Sequence, residues 1–237
     1  MRMRKKPNLA PRMERCAAML IPDPASMRGH WKDEMPEARE IRLEIGCGKG
    51  RFTVETAAAG PDVPFVAIER VADAMVIAME RANEQGIANV RFIDADAERL
   101  PAYFAPGEVS RIYLNFSDPW PSNRHAKRRL THTDFLMRYR QILPEKGEIH
   151  MKTDNQDLFE WSLFQFPKAG FRLEQVTRDL HRDGVCGIMT DYEEKFHHQG
   201  MPICRCVAVR EALPAEMAGW IDPLDKPRGG QPSGGED

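Results

Sequence analysis

The segment LEIGCGKG at residues 43–50 closes a short apolar run with a carboxylate at Glu44 and then places a glycine at every second position. Because glycine lacks a Cβ atom, Gly46, Gly48 and Gly50 predict a sharp turn to which a ligand can come close. The dinucleotide pattern GxGxxG is not met, since the frame that starts at Gly46 has Arg51 in place of its third glycine. This mismatch disfavours an NAD-dependent oxidoreductase.

Strand-like and helix-like segments alternate on both sides of this turn. The pattern predicts strands at 40–45, 64–69, 89–93, 111–116, 147–153, 171–177 and 202–210, with helices after the glycine turn and at 71–86, 131–143 and 155–170. Gly86 is expected to end one helix, and Thr131 with Asp134 predicts a capping box at the start of another. Such alternation predicts an α/β fold with a doubly wound, mostly parallel sheet that binds ligands beyond the carboxyl ends of its strands.

Size and composition indicate a single domain. The 237 residues are 42% hydrophobic and carry a formal net charge of −2, which suits one well-packed core. We expect one main domain at 39–212, a flexible basic N-terminal arm at 1–38 and a C-terminal tail at 213–237 whose end is disordered. No apolar run approaches the ~20 residues of a membrane helix, and five cysteines without a CxxC pair favour a reducing compartment, so a cytoplasmic protein is expected.

Carboxylates stand at the ends of two further predicted strands. Glu69 closes FVAIE at residues 65–69, where it is placed to accept the hydroxyls of a ribose. Asp94 and Asp96 follow the next strand, in position to receive an exocyclic amine. Each acid alone is more often a cap or a solvated loop residue, but at successive strand ends they indicate an adenosine-binding crevice.

A third motif, IYLNFSDPWPSNRHAKRRL at residues 112–130, combines a strand, an Asp-Pro-Trp-Pro corner and a basic run. The prolines alone would end a strand, and a short charge run is usually a solvated helix face. Four Lys/Arg within residues 124–129 next to a predicted crevice instead favour contacts with nucleic-acid phosphates. Trp120 is equally suited to packing the wall of the site and to stacking on a base.

Taken together, LEIGCGKG, FVAIE and DADA resemble the cofactor motifs of S-adenosylmethionine methyltransferases. The additional segments NFSDPWPSNRHAKRRL, KTDN and MTDYEEKFHHQGMPI resemble the bacterial tRNA (guanine-N7-)-methyltransferase family over residues 41–209. The resemblance implies a Rossmann-like methyltransferase fold whose last strand is antiparallel. It also implies methyl transfer from S-adenosylmethionine, which leaves S-adenosylhomocysteine, to N7 of a guanine in the variable loop of tRNA, without a metal.

The family's roles transfer to this chain by position. Cofactor contacts are implied for Glu44, Gly46, Gly48, Glu69, Asp96 and Asp118. Asp118 also faces the target base as the catalytic residue. Substrate contacts are implied for Ser122, Asp154, Thr190, Asp191, Tyr192 and Glu193, and RNA contacts for Arg124, His125, Lys127, Arg128 and Arg129. Ser122 and Asn123 depart from the family, which usually has lysines there.

Three alternatives stay open from the residues alone. The first alternative is a methyltransferase that acts on another RNA base or on a protein. The second is a non-catalytic RNA-binding protein with this fold, and the third and least favoured is an oxidoreductase. Amine methyltransferases commonly have Pro-Pro and an aromatic residue after the Asn or Asp, whereas this chain has Asp-Pro-Trp-Pro. Thr190 and Glu193 also fit a helix capping box, a purely structural role. Whether the protein is a monomer or a homodimer is not encoded in a recognisable motif.

Overall fold

The computed structural model describes residues 8–34, 38 and 40–224. Its centre is one seven-stranded sheet with the strand order β3-β2-β1-β4-β5-β7-β6. The strands are β1 Arg42–Ile45, β2 Phe65–Ile68, β3 Val90–Ile93, β4 Arg111–Asn115, β5 Glu148–Thr153, β6 Phe171–Thr177 and β7 Cys204–Arg210. All seven predicted strands are therefore present, with ends that differ by a few residues from the prediction.

In the part of the chain that the structure describes, seven α-helices connect and flank the strands. They are α1 Leu9–Arg15, α2 Arg51–Ala59, α3 Ala72–Glu84, α4 Leu100–Tyr103, α5 Thr133–Ile142, α6 Gln156–Lys168 and α7 Asp191–His198. The expected end of α3 is confirmed, since Gly86 follows it with a φ of 65°. The predicted capping box at Thr131 is wrong: His132 caps α5 by accepting the amide N–H of Asp134, and the Thr131 hydroxyl instead pairs with Ser162 at 2.7 Å.

Strand pairing confirms the predicted mostly parallel sheet. β1 pairs in parallel with β2 on one side and with β4 on the other, and β4 pairs in parallel with β5. The last strand, β7, lies antiparallel between β5 and β6, as predicted. The strand order reverses between β1 and β4, and a crevice therefore opens beyond their carboxyl ends.

Alternating side chains of the strands form two apolar cores, one on each face of the sheet. Phe65 and Ala67 of β2 pack with α2 and α3, whereas Val66 and Ile68 pack with α4, α5 and α6. This double burial explains why β2, with the sequence FVAI, is a continuous apolar run rather than an alternating one. The cysteines of β7, at 204 and 206, are completely buried core residues as predicted.

The N-terminal segment differs from the predicted flexible arm. Within residues 8–34, α1 packs on α3, and the Arg12 guanidinium pairs with Glu80 at 2.7 Å. Trp31 is 2% exposed, donates its indole N–H to the carbonyl of Tyr103 and stacks on Phe104. A single large side chain such as Trp31 creates no periodic pattern in the sequence. Its burial therefore could not be predicted from hydrophobic periodicity. The basic residues 2–6 lie outside the described residues.

The described part of the predicted C-terminal tail is also packed against the domain. Arg138 of α5 and Asp222 form a two-pronged ion pair, both contacts at 2.8 Å, and both residues are buried. The Gly- and Pro-rich end at 225–237 lies outside the described residues. No described helix is long and apolar enough to cross a membrane.

Candidate active site

A cavity of about 550 Å³ lies beyond the carboxyl ends of β1, β2, β3 and β4. Its lining includes the acidic side chains of Glu69, Asp96, Glu98 and Asp118, and two arginines, Arg70 and Arg128. The remaining lining residues are mostly apolar: Ile45, Gly46, Ile68, Val71, Ala95, Ala97, Asn115, Phe116, Ser117, Trp120, Leu130 and Phe135. Glu69 and Asp96, which were predicted from separate strand ends, thus lie in one crevice with Asp118, which the family resemblance implied.

Glu69 ties the glycine turn to the end of β2. Its two carboxylate oxygens accept backbone N–H groups of Gly48 and Val71, each at 2.9 Å. The side chain is 9% exposed and lines the cavity. Since each carboxylate oxygen has a further lone pair, Glu69 keeps acceptor capacity for hydroxyl groups of a ligand.

The three glycines of the turn are required for two different structural reasons. All three have positive φ, at 80°, 57° and 77° for Gly46, Gly48 and Gly50. A Cβ atom at Gly50 would lie 2.3 Å from the Cβ of Ala78, so this glycine permits close packing of the turn on α3. At Gly46 and Gly48 no described atom lies within 4 Å of such a Cβ, and these two glycines face open space.

Glu44 lies beneath the crevice rather than at its surface. It is 1% exposed, accepts the Thr53 hydroxyl at its Oε2 atom and accepts the Asn115 side-chain amide at Oε1 with a distance of 2.9 Å. Burial raises the pKa of Glu44 to about 7, against the opposing effect of these two hydrogen bonds. Asn115 Oδ1 is buried and has no hydrogen-bond partner among the described residues.

The remaining predicted cofactor residues are on loops. Asp96 begins a short 3₁₀ helix at 97–99, accepts the amide N–H of Glu98 at 3.0 Å and lies 3.4 Å from Arg70. Its neighbour Asp94 is exposed on the loop before it. Asp118 follows β4, is exposed and lines the cavity.

The corner after β4 is held in an unusual backbone conformation. Phe116 and Trp120 have φ values of 53° and 43°, in the left-handed region that non-glycine residues rarely adopt. Strain of this kind costs about 1–3 kcal/mol per residue and is concentrated at functional sites. Both residues line the cavity, as does Asp118, which lies between them in the chain.

The basic run forms a 3₁₀ helix at 123–128 beside this corner. Arg124, His125, Lys127 and Arg128 are exposed, as is Ser122 just before the helix. Arg128 lies over the Trp120 ring at 4.8 Å, and His125 meets the same ring edge-on. Four of the five predicted RNA-contact residues therefore share one exposed surface next to the cavity.

Arg129 is turned inward instead. It is 6% exposed, donates to the backbone carbonyls of Pro119 and Trp120 at 3.0 Å, and lies over the Trp161 ring at 4.4 Å. This placement differs from the predicted phosphate contact, because the side chain is buried and its Nε and Nη2 atoms donate to carbonyls within the protein. Arg129 holds the Asp-Pro-Trp-Pro corner in shape.

The predicted substrate segment is the first turn of α7. Thr190 caps the helix, and the capping box with Glu193 is present. Asp191 is bound by Arg81 of α3 through two contacts of 3.0 and 3.1 Å. Tyr192 is 45% exposed, its ring lies 5.2 Å from that of Phe116, and its hydroxyl is 3.5 Å from Asp154. Burial, and then the nearby Asp154 carboxylate, raises the pKa of Tyr192.

Sequence reasoning missed several residues that shape this site. Asn115 ends β4 and Phe116 follows it, shortly before the Asp-Pro-Trp-Pro corner, and that position was the available signal. Lys152 stands two residues before Asp154 and contacts Glu193, and Arg81 lies far from Asp191 in the chain. Nothing local indicates the Arg81 or Lys152 contacts, because each joins residues more than 40 positions apart. Within the described residues, no group of three or more His, Cys, Asp or Glu side chains is arranged to hold a metal ion.

The crevice lies at the strand-order reversal of a Rossmann-like α/β domain, with a glycine turn and carboxylates in its lining, and this is the position at which such domains bind their ligands. Several solved structures that share this fold are methyltransferases. The 16S rRNA methyltransferase KamB aligns with a TM-score of 0.61 at 15% identity, over 78% of this chain and 94% of that one. A 16S rRNA methyltransferase from Catenulisporales acidiphilia, solved with its cosubstrate SAM, aligns with a TM-score of 0.57 at 13% identity, over 81% and 93% of the two chains.

Sequence comparisons define the family more narrowly. A family model described as "Putative methyltransferase" matches residues 38–206. A tRNA (guanine-N(7)-)-methyltransferase from Geobacillus kaustophilus is 49% identical over 89% of this chain and 97% of its own length. Another, from Streptococcus suis, is 44% identical over 88% and 99%. The chain therefore belongs to the tRNA (guanine-N7-)-methyltransferase family, in agreement with its sequence motifs.

Proposed function

We propose that this protein transfers a methyl group from S-adenosylmethionine to N7 of a guanine in the variable loop of tRNA, forming 7-methylguanosine. The observation that carries the proposal is the acidic crevice with Asp118 at its edge and an exposed basic helix beside it. The names of the relatives support the reaction and the substrate. The protein class alone leaves both open, since the fold also occurs in enzymes that act on 16S rRNA.

The crevice fits the cofactor in shape and charge. Glu69 has spare acceptor capacity at the end of β2, where a ribose is expected, and Asp96 lies at the end of β3 for the adenine amine. Gly46 and Gly48 face open space, so the cofactor can come close to the backbone of the turn. Four acidic side chains in the lining favour a cationic sulfonium, and the orphaned acceptor of Asn115 suits a ligand ammonium group.

When bound, S-adenosylmethionine supplies an activated methyl group. The guanine N7 lone pair forms the new bond to the methyl carbon, and the carbon–sulfur bond breaks with its electron pair left on the neutral thioether of S-adenosylhomocysteine. N7 carries no proton, so the step requires no general base. The enzyme's task is alignment, which is worth up to about 7–11 kcal/mol in favourable systems.

Asp118 has the leading role in this alignment. Its carboxylate lies on the cavity wall between the strained residues Phe116 and Trp120. A carboxylate there accepts hydrogen bonds from the N1 and amino donors of guanine and stabilises the positive charge that moves onto the purine ring. Asp154 and Tyr192 form the opposite side of the base site, and Trp120 provides a ring against which the base packs.

The basic surface of Arg124, His125, Lys127 and Arg128 binds the tRNA phosphates. All four side chains are exposed and lie on one short helix next to the cavity. Ser122 and Asn123, which replace the family's usual lysines, lie at the start of the same helix and leave its cationic residues to supply the affinity. We expect the affinity for tRNA to fall steeply with salt concentration.

The proposal is tested by incubating the purified protein with S-adenosylmethionine and an unmodified tRNA transcript, then digesting the RNA and measuring nucleosides by mass spectrometry. We expect 7-methylguanosine from the wild type and at least a hundredfold lower rate from Asp118→Ala, in line with the loss of one positioned charge stabiliser. Asp94→Ala is the matched control, because Asp94 is an exposed carboxylate on a neighbouring loop.

Three results would overturn parts of the proposal. A different methylated nucleoside would keep the methyltransferase reaction and reject N7 of guanine, the alternative left open by the residues alone. Normal turnover in Asp118→Ala would reject the role of Asp118. Tight binding of S-adenosylmethionine without any methylated nucleoside would point to another substrate class, such as a protein.

A further inference from the structure

The first turn of α7 contains a fully buried carboxylate. Glu193 is 0% exposed, although its neighbour Tyr192 is 45% exposed. Its Oε2 atom accepts from the Lys152 ammonium at 2.6 Å and from the amide N–H of Thr190 at 3.2 Å. Its Oε1 atom lies 3.0 Å from His181 Nε2. A buried carboxylate without partners is very costly, so this one depends on the two side chains that meet it.

The hydrogen bonds around His181 define its protonated nitrogen. His181 Nδ1 accepts the amide N–H of Cys186 at 3.1 Å, so Nδ1 carries a lone pair. The proton is therefore on Nε2, which donates to Glu193. Lys152 makes a second contact as well, to the carbonyl of Ile188 at 2.9 Å. Together these bonds fasten the loop before α7 to the same buried carboxylate.

Lys152 also links this group to the base site. It lies on β5, two residues before Asp154, and Glu193 directly follows Tyr192. Two adjacent residues of α7 thus meet two closely spaced residues at the end of β5: Glu193 pairs with Lys152, and Tyr192 approaches Asp154 at 3.5 Å. The buried ion pair is the stronger of the two links, because it is shielded from water and salt.

We propose that Lys152 and His181 are positioning residues, which act through Glu193 to hold Tyr192 and Asp154 at the base side of the crevice. Glu193 then has an indirect role in place of the predicted contact with guanosine, since its oxygens are enclosed by protein donors. This inference rests on the proposed function, because it concerns the tRNA side of the same site. It assigns no role to these residues in cofactor binding.

The test measures tRNA and cofactor parameters separately on Lys152→Met, Lys152→Arg and the wild type. We expect Lys152→Met to raise KM for tRNA at least tenfold, while Kd for S-adenosylmethionine, measured by titration calorimetry, changes less than threefold. Lys152→Arg keeps a cationic donor and should recover much of the loss. Arg178→Met is the matched control, because it removes a cation from an exposed ion pair with Glu160.

A second variant covers the case in which Lys152→Met does not fold. Glu193→Gln keeps the shape and an acceptor for Thr190 but removes the charge, and we expect a rise in KM for tRNA of the same kind. An unchanged KM for tRNA in a folded variant would overturn the inference, and so would an equal loss of cofactor affinity, which indicates general damage. In the same assay, a wild type that forms no 7-methylguanosine would instead reject the proposed function.

Discussion

The buried carboxylate of Glu44 makes the stability of the fold depend on pH in a defined direction. The carboxyl group is 1% exposed, and burial raises its pKa from an ordinary 4.5 to about 7. Each tenfold change in proton affinity corresponds to about 1.4 kcal/mol, so ionised Glu44 destabilises the fold by about 3 kcal/mol relative to its protonated form. The Glu44→Gln substitution removes this ionisation and keeps the side-chain volume.

The sign follows from proton binding. Between pH 4.5 and 7 the folded protein keeps a proton on Glu44 that the unfolded chain has lost, and the contribution of Glu44 to stability therefore falls as pH rises through this window. Below pH 4.5 both states are protonated and the contribution is constant. Above pH 7 both are ionised, and the loss is complete. The stability of Glu44→Gln relative to the wild type should therefore rise by up to about 3 kcal/mol from pH 4.5 to pH 8.

Urea denaturation of both proteins at several pH values between 4.5 and 8 measures this difference directly. Thr53→Val provides a second check. The Thr53 hydroxyl donates to Glu44 and opposes the rise of its pKa, so the variant should move the midpoint of the pH dependence above 7. A stability difference between wild type and Glu44→Gln that stays constant within about 0.5 kcal/mol over the whole range would refute the reasoning.

Three further outcomes are expected. Gly50→Ala should lose about 2–5 kcal/mol of stability in urea denaturation, because its Cβ would lie 2.3 Å from Ala78. Gly48→Ala should lose only about 1 kcal/mol, which is the cost of backbone strain alone. Equal losses would contradict the explanation that Gly50 is required for packing and Gly48 is not. Arg129→Lys should destabilise the protein by about 1–3 kcal/mol and leave the slope of tRNA affinity against salt concentration unchanged. A reduced slope would show that Arg129 does contact phosphate. Lys127→Gln should lower that slope by about one, measured by filter binding between low and physiological salt, without affecting stability. An unaltered slope would show that Lys127 does not belong to the RNA-binding surface.

Local patterns in the sequence determined the architecture and the cofactor side of the site. Apolar runs and glycines act over a few neighbouring residues, and all seven strands follow from them. The carboxylates of Glu69 and Asp96 were predictable because strand ends in a parallel sheet meet at one edge, whereas Asp118 was assigned through the resemblance of its motif to a known family. The same local logic predicted the capping box of Thr190 and Glu193.

Only the tertiary structure decided which charged side chains are available to a ligand. The sequence indicates no side-chain partner for Asp191 and only a helix cap for Glu193, but Arg81 binds the first, and Lys152 and His181 enclose the second. Arg129 belongs to a basic run, yet its guanidinium is buried against Trp161 and two backbone carbonyls.

These differences share one physical reason. Burial and ion pairing join residues tens of positions apart, so they depend on the packing of the whole chain and not on its local pattern. Glu44 illustrates both levels: its place at the end of β1 follows from the sequence, whereas its raised pKa follows from the atoms that surround it. A carboxylate's position is a local property, and its charge state is a tertiary one.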